Sequence, residues 1–158
     1  VLPLLLIVGC SEVEGQQQQQ LIPFVEKTYE NGNINRISYH KKTQNGIEFV
    51  KGELYYENGQ KQREGDFKNG KPDGLWTEWY ETGQKKSEGT FKDGKEDGLI
   101  NGWYENGQKE REVNYKDGKK DGLWTEWYDN GQKWFESIYK DGKRISSKRW
   151  NEDGSVKK

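Results

Sequence analysis

Carboxylates beside indole rings, one imidazole and one thiol are the groups in this chain with chemistry to offer. Glu78, Glu88 and Glu126 lie close to tryptophans. Paired acids near apolar rings are what glycoside hydrolysis requires, one carboxyl kept protonated and the other ionised. These three recur with a fixed sequence unit and alternate with lysines, so solvated cross-strand ion pairs account for them without a cleft. His40 is the single histidine and Cys10 the single cysteine, which excludes an intrachain disulfide and a Cys-based zinc site. His40 is expected to be an ordinary strand or loop residue. Gly70-Lys71 and Gly94-Lys95 lack the spaced glycines and the Ser/Thr of a phosphate loop and read as turns. The expectation is a chain that is not an enzyme, with no catalytic residue, metal site or cofactor. A formal net charge of -1 leaves no basic surplus, so no nucleic-acid partner is expected.

The indoles need elements to hold them. Hydrophobic residues make up 29% of the chain and charged residues 34%, a balance that usually leaves a chain disordered. Seven tryptophans and 13% aromatics oppose that, so the apolar surface must come from rings laid along something thin. Asp-Gly-Leu-Trp-Thr-Glu-Trp-Tyr runs from Asp73 to Tyr80 and returns at Asp121 to Tyr128, with a paler copy from Asp97 to Tyr104. Asn-Gly or Thr-Gly falls at Gly59, Gly83, Gly107 and Gly131, each 24 residues apart. A second set, at Gly46, Gly70, Gly94, Gly118 and Gly142, keeps the same period. Gly32 and Gly154 lie outside it, as terminal repeats tend to. Asn-Gly and Asp-Gly are hairpin signals, because a two-residue type I′ turn needs positive φ at both positions. The series predicts about twelve strands in an up-and-down meander: an all-β, single-layer, twisted open antiparallel sheet.

Two-residue turns fix a register. With Thr82-Gly83 as one, Tyr80 faces Lys85, Glu78 faces Ser87 and Trp76 covers Gly89. With Asp93-Gly94 as the next, Ser87 faces Ile100 and Gly89 faces Gly98. One face then carries Trp76, Tyr80, Phe91, Ile100, Tyr104, Tyr115, Trp124, Tyr128 and Tyr139. The other carries Leu75, Trp79, Leu99, Trp103, Leu123 and Trp127, with Trp134 across from Trp127. This ladder advances 22 residues while the sequence unit advances 24, a stagger worth roughly 7 Å of shear per repeat.

"GKPDGLWTEWYETGQKKSEGTFKDGK" (residues 70–95) and "GKKDGLWTEWYDNGQK" (residues 118–133) resemble the MORN repeat in its bacterial variant form, the YwqK-type antitoxin repeats. The likeness covers residues 52–143 well and residues 24–51 and 144–158 loosely. It implies a MORN-type β repeat with a 24-residue period and, more narrowly, an antitoxin or immunity protein that neutralises a toxin.

Residues 1–12, "VLPLLLIVGCSE", open on an apolar run shorter than the about 20 residues of a spanning helix. The run suits the h-region of a secretory signal, and with no Met and no basic n-region the sequence is expected to begin inside it. Ile7-Val8-Gly9-Cys10 resembles the bacterial lipobox, which implies cleavage before Cys10 and a lipid on its thiol; a generic signal with an incidental Cys10 is the alternative. Ser11 does not resemble a signal for inner-membrane retention. The expected organisation is a signal over residues 1–9, a lipidated Cys10 with a Gln-rich tether over residues 10–22, and a repeat array over residues 23–158 with its regular core at 52–143.

These readings converge on a membrane-tethered, non-catalytic module at the bacterial cell envelope, on the outer membrane or cell surface, that binds a protein partner. The candidate partner-binding aromatics are Trp76, Trp79, Tyr80, Trp103, Tyr104, Trp124, Trp127 and Tyr128. The alternative is a cell-surface glycan or cell-wall binding lipoprotein that stacks sugars on the same rings. For any single ring, stacking that holds neighbouring strands together is the plainer explanation.

Overall fold

A computed structural model describes residues 20–157. The signal segment, Cys10 and the tether as far as residue 19 lie outside the described residues. The chain folds into twelve strands: β1 Ile22–Thr28, β2 Ile34–Thr43, β3 Gly46–Tyr55, β4 Lys61–Lys68, β5 Lys71–Trp79, β6 Lys85–Lys92, β7 Lys95–Glu96, β8 Gly98–Trp103, β9 Lys109–Lys116, β10 Lys119–Trp127, β11 Lys133–Lys140 and β12 Lys143–Arg149. They form one antiparallel sheet in chain order, the two-residue β7 pairing only with β6. Among the described residues there is no helix, and substantial contacts run only between ladder neighbours. The sheet is therefore the single-layer meander that the turn spacing predicts. A thin sheet buries little: among the described residues, Val113 and Phe135 are the hydrophobic side chains that are fully buried. Its stability is a sum of nearest-neighbour terms between strands.

The hairpins are of two kinds. At Asn69-Gly70, Asp93-Gly94, Asp117-Gly118 and Asp141-Gly142 both residues have φ between 49° and 85°, the two-residue turn expected there. The turns at Gly59, Gly83, Gly107 and Gly131 differ from expectation, since only the glycine has positive φ. Gly83 N–H donates to Tyr80 O and Tyr80 N–H to Gln84 O, both at 2.9 Å, closing a three-residue loop over residues 81–83. The same pair of bonds closes the loops at Gly59, Gly107 and Gly131, where Asn58, Asn106 and Asn130 also accept from the N–H two residues on. Tyr80 thus faces Gln84, and Lys85 faces Trp79 instead. A bulge at Lys86 then restores the expected register, with Glu78 opposite Ser87 and Trp76 opposite Gly89. At the N-terminal end the second-set turn sits one residue early, at Gln44-Asn45, because Thr43 pairs with Gly46.

The predicted shear is absent. Phe91 pairs with Glu96, yet Glu88 pairs with Asn101, so two extra residues enter the later strand between them. The same shift separates Phe67–Pro72 from Gly65–Trp76, and Tyr115–Lys120 from Val113–Trp124. Ser87 therefore faces Gly102, not Ile100, and Gly98 faces Tyr115 on its other side. The extra residues are the Asp-Gly pairs of the octad. Gly74, Gly98 and Gly122 adopt φ of 117°, 110° and 108°, and Asp73, Asp97 and Asp121 accept from the backbone N–H of Asp93, Asp117 and Asp141 one repeat on. This two-residue bulge absorbs the stagger and brings Trp76, Ile100 and Trp124 into one straight row, with Gly89, Val113 and Ser137 between and after them. The indole of Trp76 also lies over Gly65, not Gly89: a Cβ on Gly65 would sit 2.2 Å from the ring, whereas Gly89 is covered by Ile100.

Candidate functional site

Strand alternation sends Trp76 and Trp79 to opposite faces, and each face has its own chemistry. On the Trp79 face a row runs across the sheet as alternating indoles and ammonium groups. Lys61 lies 5.7 Å from the Trp79 ring centre, Lys85 5.6 Å from Trp103, Lys109 5.9 Å from Trp127 and Lys133 5.4 Å from Trp150. Each of these lysines also pairs with a glutamate three residues on, at Glu64, Glu88, Glu112 and Glu136. Cation–π contacts at such half-exposed places contribute roughly 0.5–1 kcal/mol apiece. Inward from that row, Thr77 and Thr125 are buried between the glutamates. Beyond them Leu75, Leu99, Leu123 and Ile138 stand 40–49% exposed.

The Trp76 face is the more aromatic one. Phe24, His40, Phe49, Phe67, Trp76 and Phe91 follow one another with ring centres 4.5–5.6 Å apart. Further along, Trp124 meets Phe135 and Tyr139, and Lys120 sits 3.2 Å over its ring. Burial pushes the Lys120 ammonium below its ordinary pKa. Glu126 accepts from Trp124 Nε1 at 3.0 Å; burial raises its carboxyl, and that bond only partly offsets it. Trp134 does not lie across from Trp127, which faces Lys133; it is the bulged residue of β11, with its ring against Tyr128 and Phe135. Glu78 pairs with Arg63 on the neighbouring strand at 2.5 Å, and Glu88 with Lys85 on its own strand, so the acids are held as ion pairs.

The tyrosines of the motif tie neighbouring repeats together at the loop edge. Tyr80, Tyr104 and Tyr128 donate their hydroxyls to the backbone carbonyls of Trp103, Trp127 and Trp150, each one repeat on. Tyr29 and Tyr56 do the same to Tyr55 and Trp79. Asn58 and Asn106 add a second stitch: each accepts from the N–H two residues on in its own loop and donates to Glu81 O or Asp129 O of the next. At the opposite edge Gly94, Gly118 and Gly142 donate to Pro72, Glu96 and Lys120 carbonyls. The repeated letters are thus largely the code for binding one repeat to the next.

The eight candidate aromatics consequently do not form one site. Trp79, Trp103 and Trp127 share one face, Trp76 and Trp124 the other, and Tyr80, Tyr104 and Tyr128 are spent on the loop edge. The exposed leucines escaped notice as site residues, although their 24-residue spacing beside the tryptophans was signal enough. Among the described residues no group of three or more His, Cys, Asp or Glu is placed to hold a metal ion.

A one-layer array of stitched hairpins with rings on both faces defines a repeat scaffold. Residues 51–69, 72–93, 96–117 and 120–141 match the MORN repeat variant family in four consecutive units. These stretches make up more than half of the 158 residues, and the chain belongs to that family. Repeats of this kind generally mediate interaction with proteins or membranes, and the fold is typically non-catalytic. No curated protein matches the chain.

Proposed function

We propose that this chain is a membrane-tethered, non-catalytic interaction protein of the bacterial cell envelope, lipid-anchored through Cys10, that binds and neutralises a toxin in the manner of the YwqK-type antitoxin repeats. The observation that carries the interaction reading is the row of Leu75, Leu99, Leu123 and Ile138, 40–49% exposed in register on one face. Thr90 and Asn114 stand between them on the intervening strands, so Leu123 and Ile138 are the directly paired members. Apolar groups repeated along one exposed line of a folded surface favour a place where another protein sits. The flanking tryptophans favour a protein over a glycan, because lysine ammonium groups lie over Trp103 and Trp127 and compete for the ring faces a sugar would use. The lipobox-like Ile7-Val8-Gly9-Cys10 supports the tether.

The test is co-expression with the toxin candidate encoded beside the gene. Growth should be rescued by the full chain and not by a Leu75→Ser, Leu99→Ser, Leu123→Ser triple variant that keeps its β circular dichroism. Rescue by the triple variant would remove the leucine row from the account. Labelling with a palmitate analogue should depend on Cys10, and label that survives Cys10→Ser would remove the anchor.

A further inference from the structure

A groove lies on the opposite face from the leucine row and near the other end of the sheet. It crosses β2 to β5, holds about 540 Å³, and so falls within the size range of ligand sites. Its floor is made of small groups, Ser38 and Gly52, which pair with each other across β2 and β3. A Cβ on Gly52 would already stand 3.4 Å from the Phe49 ring and 3.5 Å from Phe67, so a larger residue would fill the groove. One wall is the aromatic file from His40 to Trp76. Those rings meet tilted or edge-on, at 42° to 66°, and so offer both edges and faces to an incoming ring. The other wall carries Arg36 and Arg63.

Two polar atoms in this groove stand unsatisfied. Ser38 is 3% exposed, and its Oγ has no hydrogen-bond partner among the described residues; the same is true of His40 Nδ1. Leaving such groups dry and unpaired costs about 1–3 kcal/mol each; both atoms are buried, so an entering polar atom would relieve that cost only after the neighbouring side chains shift. The guanidiniums differ from each other. Arg63 is engaged by Glu78 at 2.5 Å, whereas Arg36 reaches Glu26 only at 3.7 Å, too far for a hydrogen bond, with its side chain 55% exposed. Arg36 is thus held by Glu26, which also lines the groove, only through a long ion pair, and an incoming carboxylate that offers bidentate hydrogen bonds can compete for its guanidinium.

We propose that this groove receives an aromatic side chain of a partner protein, with a carboxylate next to it in the partner's sequence pairing with Arg36. The inference rests on the interaction reading above and adds a second contact on the other face. A protein side chain suits the groove better than a free small molecule because the sheet has one layer. Nothing closes over the floor, so a free ligand would stay wet on its outer side, while a partner's own body would act as the lid.

The test is a titration of the ¹⁵N-labelled full chain with blocked dipeptides, read by amide chemical shifts. Acetyl-Phe-Asp-amide should shift the amides of Ser38, His40 and Gly52, and acetyl-Phe-Lys-amide should bind roughly fivefold more weakly, the worth of one exposed ion pair. Arg36→Glu should weaken the first peptide by at least that factor, and Gly52→Val should abolish its shifts with the Ile100 and Val113 amides unmoved. If Gly52→Val does not fold, the exposed Arg36→Glu decides. No shift with either peptide, or equal binding of both, overturns the proposal. So does tighter binding of 3-phenylpropionate, which would make this a free aromatic acid site, or shifts at the same amides with an N-acetylglucosamine trimer alone. A silent groove with rescue still lost in the leucine variant would overturn this inference only; loss of neither would take the interaction reading with it.

Discussion

The N-terminal hairpins and the regular repeats place different chemistry at the same point of the sheet. In the repeats the row inside the Trp–Lys file alternates glutamates with the neutral Thr77, Asn101 and Thr125, which occupy equivalent positions. In β3 that position is Glu53, 5% exposed, and Tyr55 takes the place of the tryptophan. Tyr55 and Tyr39 donate to Glu53 Oε2 at 2.6 and 2.8 Å, and Lys61 to Oε1 at 3.0 Å. Burial works to raise the Glu53 carboxyl, but these bonds outweigh it and bring its pKa down to about 2. The Tyr55 hydroxyl is raised in turn, by burial and by its bond to that carboxylate. The repeats are held by identical stitches, while the terminal unit is closed by a charge network of its own and also bears the groove. The repeated tyrosines serve their neighbours, and the irregular N-terminal strands carry contacts that the repeats lack.

Mutations can break this contrast, starting with the largest effect. Gly65→Ala drives a Cβ to 2.2 Å from the Trp76 ring and should cost about 3 kcal/mol in urea unfolding, while Gly52→Ala, whose Cβ would touch Phe49 and Phe67 at ordinary contact distances of 3.4 and 3.5 Å, should cost far less. Equal costs would show that the indole is free to move aside. Glu53→Gln should lose about 2 kcal/mol at neutral pH, since it weakens charge-assisted bonds at a buried site. The sign follows from a folded pKa near 2 against an ordinary 4.5. The stabilisation is complete above about pH 4.5 and fades as pH falls toward 2, so the parent chain should lose its advantage over Glu53→Gln across that window. A mutant deficit that persists unchanged at pH 2 would mean packing, not charge, is what Glu53 supplies. Tyr104→Phe removes one inter-repeat hydrogen bond and should cost about 1 kcal/mol, and Tyr29→Phe the same, because that stitch is common to both regions. Leu99→Ser should leave stability within about 0.5 kcal/mol, since the side chain already faces water.

Much of the fold could be read from the chain because the turns are chemical signals at fixed spacing. Asp93-Gly94 and its equivalents form the turn their residues demand, and Trp76 opposite Gly89 follows from counting. The count succeeded partly by cancellation: a three-residue loop at Gly83 shifts the register by one, and the bulge at Lys86 shifts it back. The Asp-Gly bulge before each leucine was invisible for a different reason. Asp97-Gly98 looks locally like any turn dipeptide, and its role depends on the amide of Asp117 one repeat away. Trp134 departs from its counted place because it occupies the bulge after the loop at Gly131, the equivalent of Lys86. The groove was harder still, since Ser38, His40 and Phe49 come from strands whose spacing matches nothing else, and an unpaired Oγ is a property of three dimensions.

The central claim is that the motif's tyrosines hold the scaffold while the leucine row between them meets the partner. Two triple variants measured side by side test it: Tyr80→Phe, Tyr104→Phe, Tyr128→Phe against Leu75→Ser, Leu99→Ser, Leu123→Ser, each for urea midpoint and for toxin rescue. The tyrosine variant should unfold at clearly lower urea yet still rescue under native conditions, and the leucine variant should keep the parent midpoint and lose rescue. The reverse pattern, with the hydroxyls needed for rescue and the leucines needed for stability, would contradict the account.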